Sequence, residues 1–405
     1  MKKKLLVMGE SYMNFQMKTN PPKKDTSVTY GTEYSFHPYG AGAMTAIAAS
    51  KVGGNCVFCT KLGDDAYGER LKDYYKSCGL TLASDAFTAG TQTGMSITVY
   101  SDNENGHTYV AKGANLSFSK QDVDDAFAHY PDMFVLPQDD ILFQMSRPQP
   151  IKVEKKEAAH AENESIDDII NNMSGIVDEE DDFIPVAYEN EYERPMEETT
   201  IKLNSDGEIE DFSETISFSN DKPTEELKRM EEEEAGNLVM YAANLAMQRN
   251  TDMIVHYNEY TSRLPLHTLD GIKILVVSDK MLQEISGIHQ TSTDKTLRAL
   301  IPLATKIKAK YYVVQQGNDT SFVYDGKYYE TVTLPASLKR KAKQESPDMH
   351  GTYIGALATR FLKTRDIIDA CKFASVASIL TQSKFGCLDH APSFAEIADF
   401  TAEQK

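Results

Sequence analysis

Ser346-Pro347-Asp348-Met349-His350-Gly351-Thr352-Tyr353-Ile354-Gly355-Ala356 is the stretch on which the reading of this chain turns. It is a short turn running into a helix, whose apolar residues Tyr353, Leu357 and Phe361 recur at a spacing of four and form one face. Backbone N–H groups at a helix start have no partner inside the helix, and they attract anions, phosphate included. Taken alone, this is only a turn and a helix. Its meaning comes from the order of the segments around it.

Upstream, Leu5-Leu6-Val7-Met8 is a buried strand that ends at Gly9. Residues 29–36 alternate like an exposed strand and are expected to break at Pro38. Gly40-Ala41-Gly42-Ala43 leads into a small-residue helix over 44–51, and small side chains let a helix lie close to a sheet. Residues 56–62 are a further strand. Cys56 and Cys59 have the spacing of a redox pair, but residues three apart on a strand point to opposite faces, so two buried thiols are expected. Gly63-Asp64-Asp65-Ala66-Tyr67-Gly68 turns into a helix over 71–76. Residues 94–100 and 107–111 form a hairpin, followed by Gly113-Ala114-Asn115 and a helix near 121–129. Residues 140–145 read as a strand. Later come helices over 238–248, 296–307 and 366–381, strands over 253–256, 272–277 and 311–317, and a hairpin around Asp325-Gly326.

Strands alternating with helices predict an α/β fold with a mostly parallel central sheet. The segments at about 29–36 and 94–111 do not fit that alternation and are expected to form a small lid.

Charge divides the 405 residues further. The net charge is −19, yet residues 151–234 carry 28 acidic and 8 basic residues, and the rest is nearly balanced. Residues 1–146 and 237–405 therefore read as two parts of one domain. Residues 147–236 read as an acidic insertion whose composition predicts disorder. Two short apolar islands within it, 183–188 and 215–218, are candidate docking motifs. Neither part suggests nucleic-acid binding. No run of apolar residues is long enough to span a membrane. Five cysteines without framework spacing suit a reducing, cytoplasmic setting, and the nine scattered histidines show no zinc spacing.

The order of motifs resembles the ribokinase-like family of carbohydrate kinases, also called the PfkB family. The resemblance runs through Tyr39-Gly40-Ala41-Gly42-Ala43, Lys61-Leu62-Gly63-Asp64-Asp65-Ala66-Tyr67-Gly68, Gly113-Ala114-Asn115, Gln316-Gly317, Thr352-Tyr353-Ile354-Gly355-Ala356 and Pro392-Ser393-Phe394. It implies a ribokinase-like αβα sandwich with a β lid, a sugar between sheet and lid, and ATP beside the late strands. The implied reaction is phosphoryl transfer from ATP, with Mg2+, to a sugar or nucleoside hydroxyl. In the family an Asp at the start of the late helix takes the hydroxyl proton, and neighbouring N–H groups hold the developing charge. On this chain the resemblance points to Asn14, Gly40, Gly42, Met44 and Asn115 for the substrate. It points to Met349, His350 and Gly351 for the anion hole, and to Gly317 and Thr320 for the nucleotide. Asp348 or His350 would be the base, and no protein metal site is implied.

The chain departs from the family pattern at its chemical positions. No carboxylate immediately precedes Thr352. The sugar-binding Asp is Asn14, the Asn of the glycine-rich turn is Met44, and the second nucleotide-side glycine is Thr320. The Asn-x-x-Glu linked to magnesium aligns with Ser278-Asp279-Lys280-Met281, with Glu284 displaced by three residues. A missing base lowers a rate by ~100–10,000-fold. Two expectations follow: a sugar kinase with unusual site residues, or a catalytically impaired relative that binds and scaffolds. A homodimer through the lid and a protein partner on the acidic insertion are the expected associations.

Overall fold

Strand β1 (Lys4–Met8) has no polar face. Leu5 and Val7 enter the core on one side of the sheet, and Leu6 and Met8 enter it on the other. Such a strand must be central, and β1 lies inside a sheet of nine strands among the described residues. The computed structural model describes residues 2–20, 28–83, 86–101, 107–136, 237–317, 320–334, 348–382 and 391–402, with the backbone alone at 101, 267, 348, 349 and 382. All of these lie in the first of two units, Met1–Arg147 with Lys228–Lys405, the second being Pro148–Leu227. The expected strand at 140–145 and the acidic segment with its two apolar islands lie outside the described residues.

On one side of β1 the sheet continues through β4 (Asn55–Cys59) and β6 (Thr81–Leu82). On the other it continues through β10 (Met133–Val135), β11 (Asp252–Tyr257), β12 (Ile272–Ser278) and β13 (Ala309–Gln316), all parallel. The antiparallel strands β14 (Thr320–Tyr324) and β15 (Tyr329–Thr333) complete that edge. Chain order reverses between β1 and β10. In open α/β sheets ligands settle beyond the C-terminal strand ends at such a reversal.

Helices cover both faces. Helices α1 (Ala41–Lys51) and α2 (Ala66–Ser77) pack on the face of Leu5. Helices α3 (Lys120–Phe127), α4 (Leu238–Gln248), α5 (Asp279–Ser286) and α6 (Thr293–Lys306) pack on the face of Leu6. Helices α7 (Asp348–Thr364), α8 (Ile367–Gln382) and α9 (Phe394–Ala402) return to the first face. Helices α1 and α7 touch closely. A Cβ on Gly355 would collide with the carbonyl oxygen of Thr45, and one on Gly351 would stand 2.8 Å from Cβ of Met44. The apolar repeat Tyr353, Leu357, Phe361 is buried, as its spacing predicts.

The lid is a four-stranded sheet in the order β3 (Gly31–Tyr39), β2 (Tyr12–Thr19), β8 (Met95–Ser101), β9 (His107–Ala111) among the described residues, and the short strands β5 (Leu62–Gly63) and β7 (Phe87–Thr88) pair with each other. Two expectations need correction. Strand β2 was not anticipated, although Met13, Phe15 and Met17 alternate with Asn14 and Gln16. Strand β3 does not break at Pro38 but runs through it, with Pro38 opposite Met13. β3 is an edge strand, where a residue without an N–H is tolerated.

Cys56 and Cys59 point into opposite cores, and burial pushes both thiols far above the usual range. No helix among the described residues is long and apolar enough to cross a membrane.

Candidate active site

The glycine-rich turn seats α1 against the end of β1. Gly40 has φ of 115°, a conformation that glycine adopts without strain, and a Cβ there would stand 2.6 Å from the carbonyl oxygen of Glu10. A Cβ on Gly42 would stand 2.6 Å from Cα of Gly9. Both glycines thus let two backbone segments approach, and Ala43 N–H donates to Glu10 O at 3.1 Å. Met44 is buried in the core between α1 and α7, where its thioether offers no hydrogen bond to a hydroxyl.

The motif around Gly63 to Gly68 also acts structurally. Asp65 caps α2 by accepting from Gly68 N–H at 2.8 Å, and it accepts from Thr93 N–H at 2.7 Å and from Thr93 Oγ1 at 2.6 Å. Asn115 is fully buried and ties the lid to its base. Its Oδ1 accepts from Ser11 N–H at 2.9 Å, and its Nδ2 donates to Ser11 O at 2.8 Å and Lys112 O at 2.9 Å.

The inner face of the lid is polar and buried. Asn14 is 2% exposed. Its Oδ1 accepts from Ser96 Oγ at 2.9 Å and from Thr98 Oγ1 at 3.2 Å. Its Nδ2 donates to His37 Nε2 at 3.1 Å. On the same face lies Gln16, whose buried Oε1 has no hydrogen-bond partner among the described residues. The sequence reading missed Gln16, although its alternation with Met17 and Phe15 placed it beside Asn14.

At the C-terminal edge of the late strands, two histidines and a glutamine meet. His256 comes from the end of β11, Gln315 from the end of β13 and His350 from the first turn of α7. The imidazoles of His256 and His350 stack with centroids 5.3 Å apart and planes 26° apart. His350 Nδ1 donates to Gln315 Oε1 at 3.2 Å, because a carbonyl oxygen can only accept. That bond sets the tautomer and leaves the basic lone pair on Nε2. Burial, and then the proximity of His350, push the His256 pKa down to about 3, so His256 is neutral at ordinary pH. His256 and Gln315 were absent from the sequence reading. They are far from residue 350 in the chain, and only the strand order brings them to it.

Helix α7 starts at Asp348, so the N–H groups of Met349 and His350 have no acceptor inside the helix, and Gly351 follows them in the first turn. The side chains of Asp348 and Met349 lie outside the described residues. On the expected nucleotide side, Gly317 follows β13 with φ of 57°, and its N–H donates to Asp279 Oδ2 at 3.2 Å. Asp279 also accepts from Lys280 N–H at 2.7 Å. Thr320 Oγ1 bonds across the hairpin to Thr333 Oγ1 at 3.4 Å. Glu284 lies exposed on α5, beyond the first turn.

This arrangement suits a magnesium nucleotide. Mg2+ is commonly held by one or two carboxylates, phosphate oxygens and water rather than by a protein cage. Asp279 supplies a carboxylate at the Gly317 turn, and no cluster of three metal-ligating side chains occurs among the described residues.

A β lid joined to a helix-covered parallel sheet, with a glycine turn after β1 and an open helix start beyond the late strands, is the architecture of ribokinase-like proteins. Residues 2–179 match the family model described as pfkB family carbohydrate kinase. Over these residues the chain is similar to the PfkB family, and its fold is ribokinase-like. A bifunctional ribokinase/ribose-5-phosphate isomerase A of Fructilactobacillus sanfranciscensis is 29% identical over 157 residues, 38% of this chain and 27% of that protein. Ribokinase of Bacillus subtilis is 28% identical over 111 residues, 27% of this chain and 38% of that one. The matches thus span only about a quarter to two fifths of these relatives. Among solved structures, Arabidopsis thaliana ribokinase complexed with ribose and ATP superposes with a TM-score of 0.62 at 13% identity, covering 98% of each chain. Ribokinase from Thermotoga maritima gives 0.63 at 14% identity, over 99% of this chain and 100% of the other.

Proposed function

We propose that this protein is an ATP-dependent carbohydrate kinase in which His350 takes the place of the customary carboxylate base. The bond from His350 Nδ1 to Gln315 Oε1 carries the reading, because it orients the ring and leaves Nε2 as the basic nitrogen. The neutral His256 ring behind it adds no second positive charge to compete for the proton. Bound MgATP supplies the phosphoryl group that is transferred. The residues of this chain hold the reactants and move one proton. His350 Nε2 takes the proton of the attacking hydroxyl. The first-turn N–H groups of Met349 and His350, with Gly351 beside them, would face the developing negative charge. Gly317, Thr320 and Asp279 border the nucleotide.

The acceptor is a sugar or nucleoside hydroxyl. Gln16 Oε1 is a buried acceptor on the lid's inner face, and an acceptor hydroxyl would satisfy it. Asn14 shares that face, Gly40 and Gly42 shape its floor, and Met44 and Asn115 support the surrounding packing. The similarity to Bacillus subtilis ribokinase, and to Arabidopsis thaliana ribokinase complexed with ribose and ATP, favours this class.

A second reading, a binding protein without turnover, is favoured by Asn14, whose polar atoms already bond within the lid. A second copy would cover the lid's outer face, where Tyr34 is 72% and Tyr109 62% exposed. The test is ADP formation with a panel of pentoses, hexoses and nucleosides in the presence of ATP and Mg2+. The kinase reading expects turnover with at least one acceptor. ATP binding without ADP formation from any of them replaces it with the second reading.

A further inference from the structure

At the other end of α7, away from His350, a cavity of about 410 Å3 opens beside the starts of β1 and β4. Its floor is apolar, formed by Leu5 and Leu362. Its wall is cationic: Lys2, Lys3 and Lys363 line it, and no acidic residue does among the described ones. No ion pair among the described residues joins any of these three lysines.

Lys363 is the fixed member. Its Nζ donates to Val52 O at 3.4 Å and lies 5.6 Å from the ring centroid of Phe394. Gly53 leaves that ammonium room, since a Cβ there would stand 3.3 Å from it. Burial, then the nearby Arg360 and Lys2 charges, hold the Lys363 pKa below its ordinary value. Arg360 itself is neutralised by Asp369 through two bonds of 2.6 and 3.0 Å. Like charges gathered at the mouth of an apolar cavity are relieved by an anion, and the three exposed ammonium groups match a multiply charged group better than a single carboxylate.

We propose that this cavity is a second ligand site that binds a small organic phosphate, with Lys2, Lys3 and Lys363 on the phosphoryl oxygens and Leu5 and Leu362 against the apolar remainder. The volume lies within the range of small-molecule sites. The site stands apart from the reacting groups, and it does not depend on the kinase reading. It shares one element with them: the 17-residue helix α7 carries Thr359, Leu362 and Lys363 toward one end and the anion-hole turn at the other, with Lys363 about 20 Å along the axis from His350.

The experiment is calorimetric titration of the full chain with inorganic pyrophosphate. Wild type is expected to bind it. Lys363→Met is expected to weaken binding about tenfold, and the triple change Lys2→Met, Lys3→Met, Lys363→Met at least about a hundredfold, because charge-assisted hydrogen bonds are lost. Lys363→Arg is expected to retain binding within about threefold, since it keeps the charge. Unchanged unfolding midpoints show that the variants are folded. A triple variant that binds like wild type overturns the proposal, as does a wild type that binds no pyrophosphate. Failure of the kinase reading appears separately, as absent ADP formation with this lysine dependence intact.

Discussion

The lid and the late-strand edge both present buried or half-buried polar groups, but in opposite conditions. In the lid, one amide organises its neighbours: Asn14 accepts from Ser96 and Thr98 and donates to His37, so the inner face is largely closed on itself. At the late-strand edge, Gln315 holds one nitrogen of His350 and directs the basic one elsewhere, while His256 backs the ring. The first is a network that binding must rearrange. The second, in the kinase reading proposed above, is a group oriented to act. In the kinase reading, Asn14 in place of the family's sugar-binding Asp is therefore expected to change the lid less than the lack of a carboxylate immediately before Thr352 changes the chemistry, because an amide can still organise hydroxyls.

The largest effect is expected at the edge. His350→Ala lowers kcat by ~100–10,000-fold if the imidazole is the base, measured as ADP formation with the best acceptor. An unaffected kcat would erase the contrast between the two regions. In the lid, Asn14→Ala leaves the buried partners of its amide unmatched and costs roughly 1–3 kcal/mol of stability. Asn14→Asp keeps both accepted bonds and is expected to cost less, so denaturant midpoints should fall in the order wild type, Asp, Ala. An alanine variant as stable as wild type would mean that the network is not closed in solution.

A smaller effect concerns pH. His256 has a folded pKa of about 3 against an ordinary value of 6.5, so the unfolded chain takes up a proton first as pH falls. Its contribution is intact above about pH 6.5 and declines between there and pH 3, amounting to about 2 kcal/mol lost at pH 5. His256→Leu should flatten the stability–pH curve by that amount. An unchanged slope would show that His256 is not held neutral.

The α/β alternation was legible because β1, β4 and the late strands are apolar on both faces, and because glycine and proline punctuate the chain. The intervals between glycine motifs carried the family. Strand β2 escaped because its polar face, Asn14 and Gln16, is the buried one, which inverts the usual pattern of polar out and apolar in. Pro38 suggested a break because sequence does not show which strand is at an edge. The triad of His256, Gln315 and His350 could not be read from spacing. Residues 256 and 315 converge only once β11, β12 and β13 are laid side by side with α7 across their ends. Asp279, an acid just after β12, stood in plain sight within the altered Asn-x-x-Glu, but its reach to Gly317 needed the fold.

The central claim is that an imidazole stands where the acceptor hydroxyl gives up its proton. A structure of the full chain with a turned-over acceptor and a non-hydrolysable ATP analogue tests it most directly. The account predicts His350 Nε2 within about 3.2 Å of the acceptor oxygen, with the Gln315 bond retained. An acceptor oxygen contacting the Asp348 carboxylate instead, with His350 turned away, would contradict it.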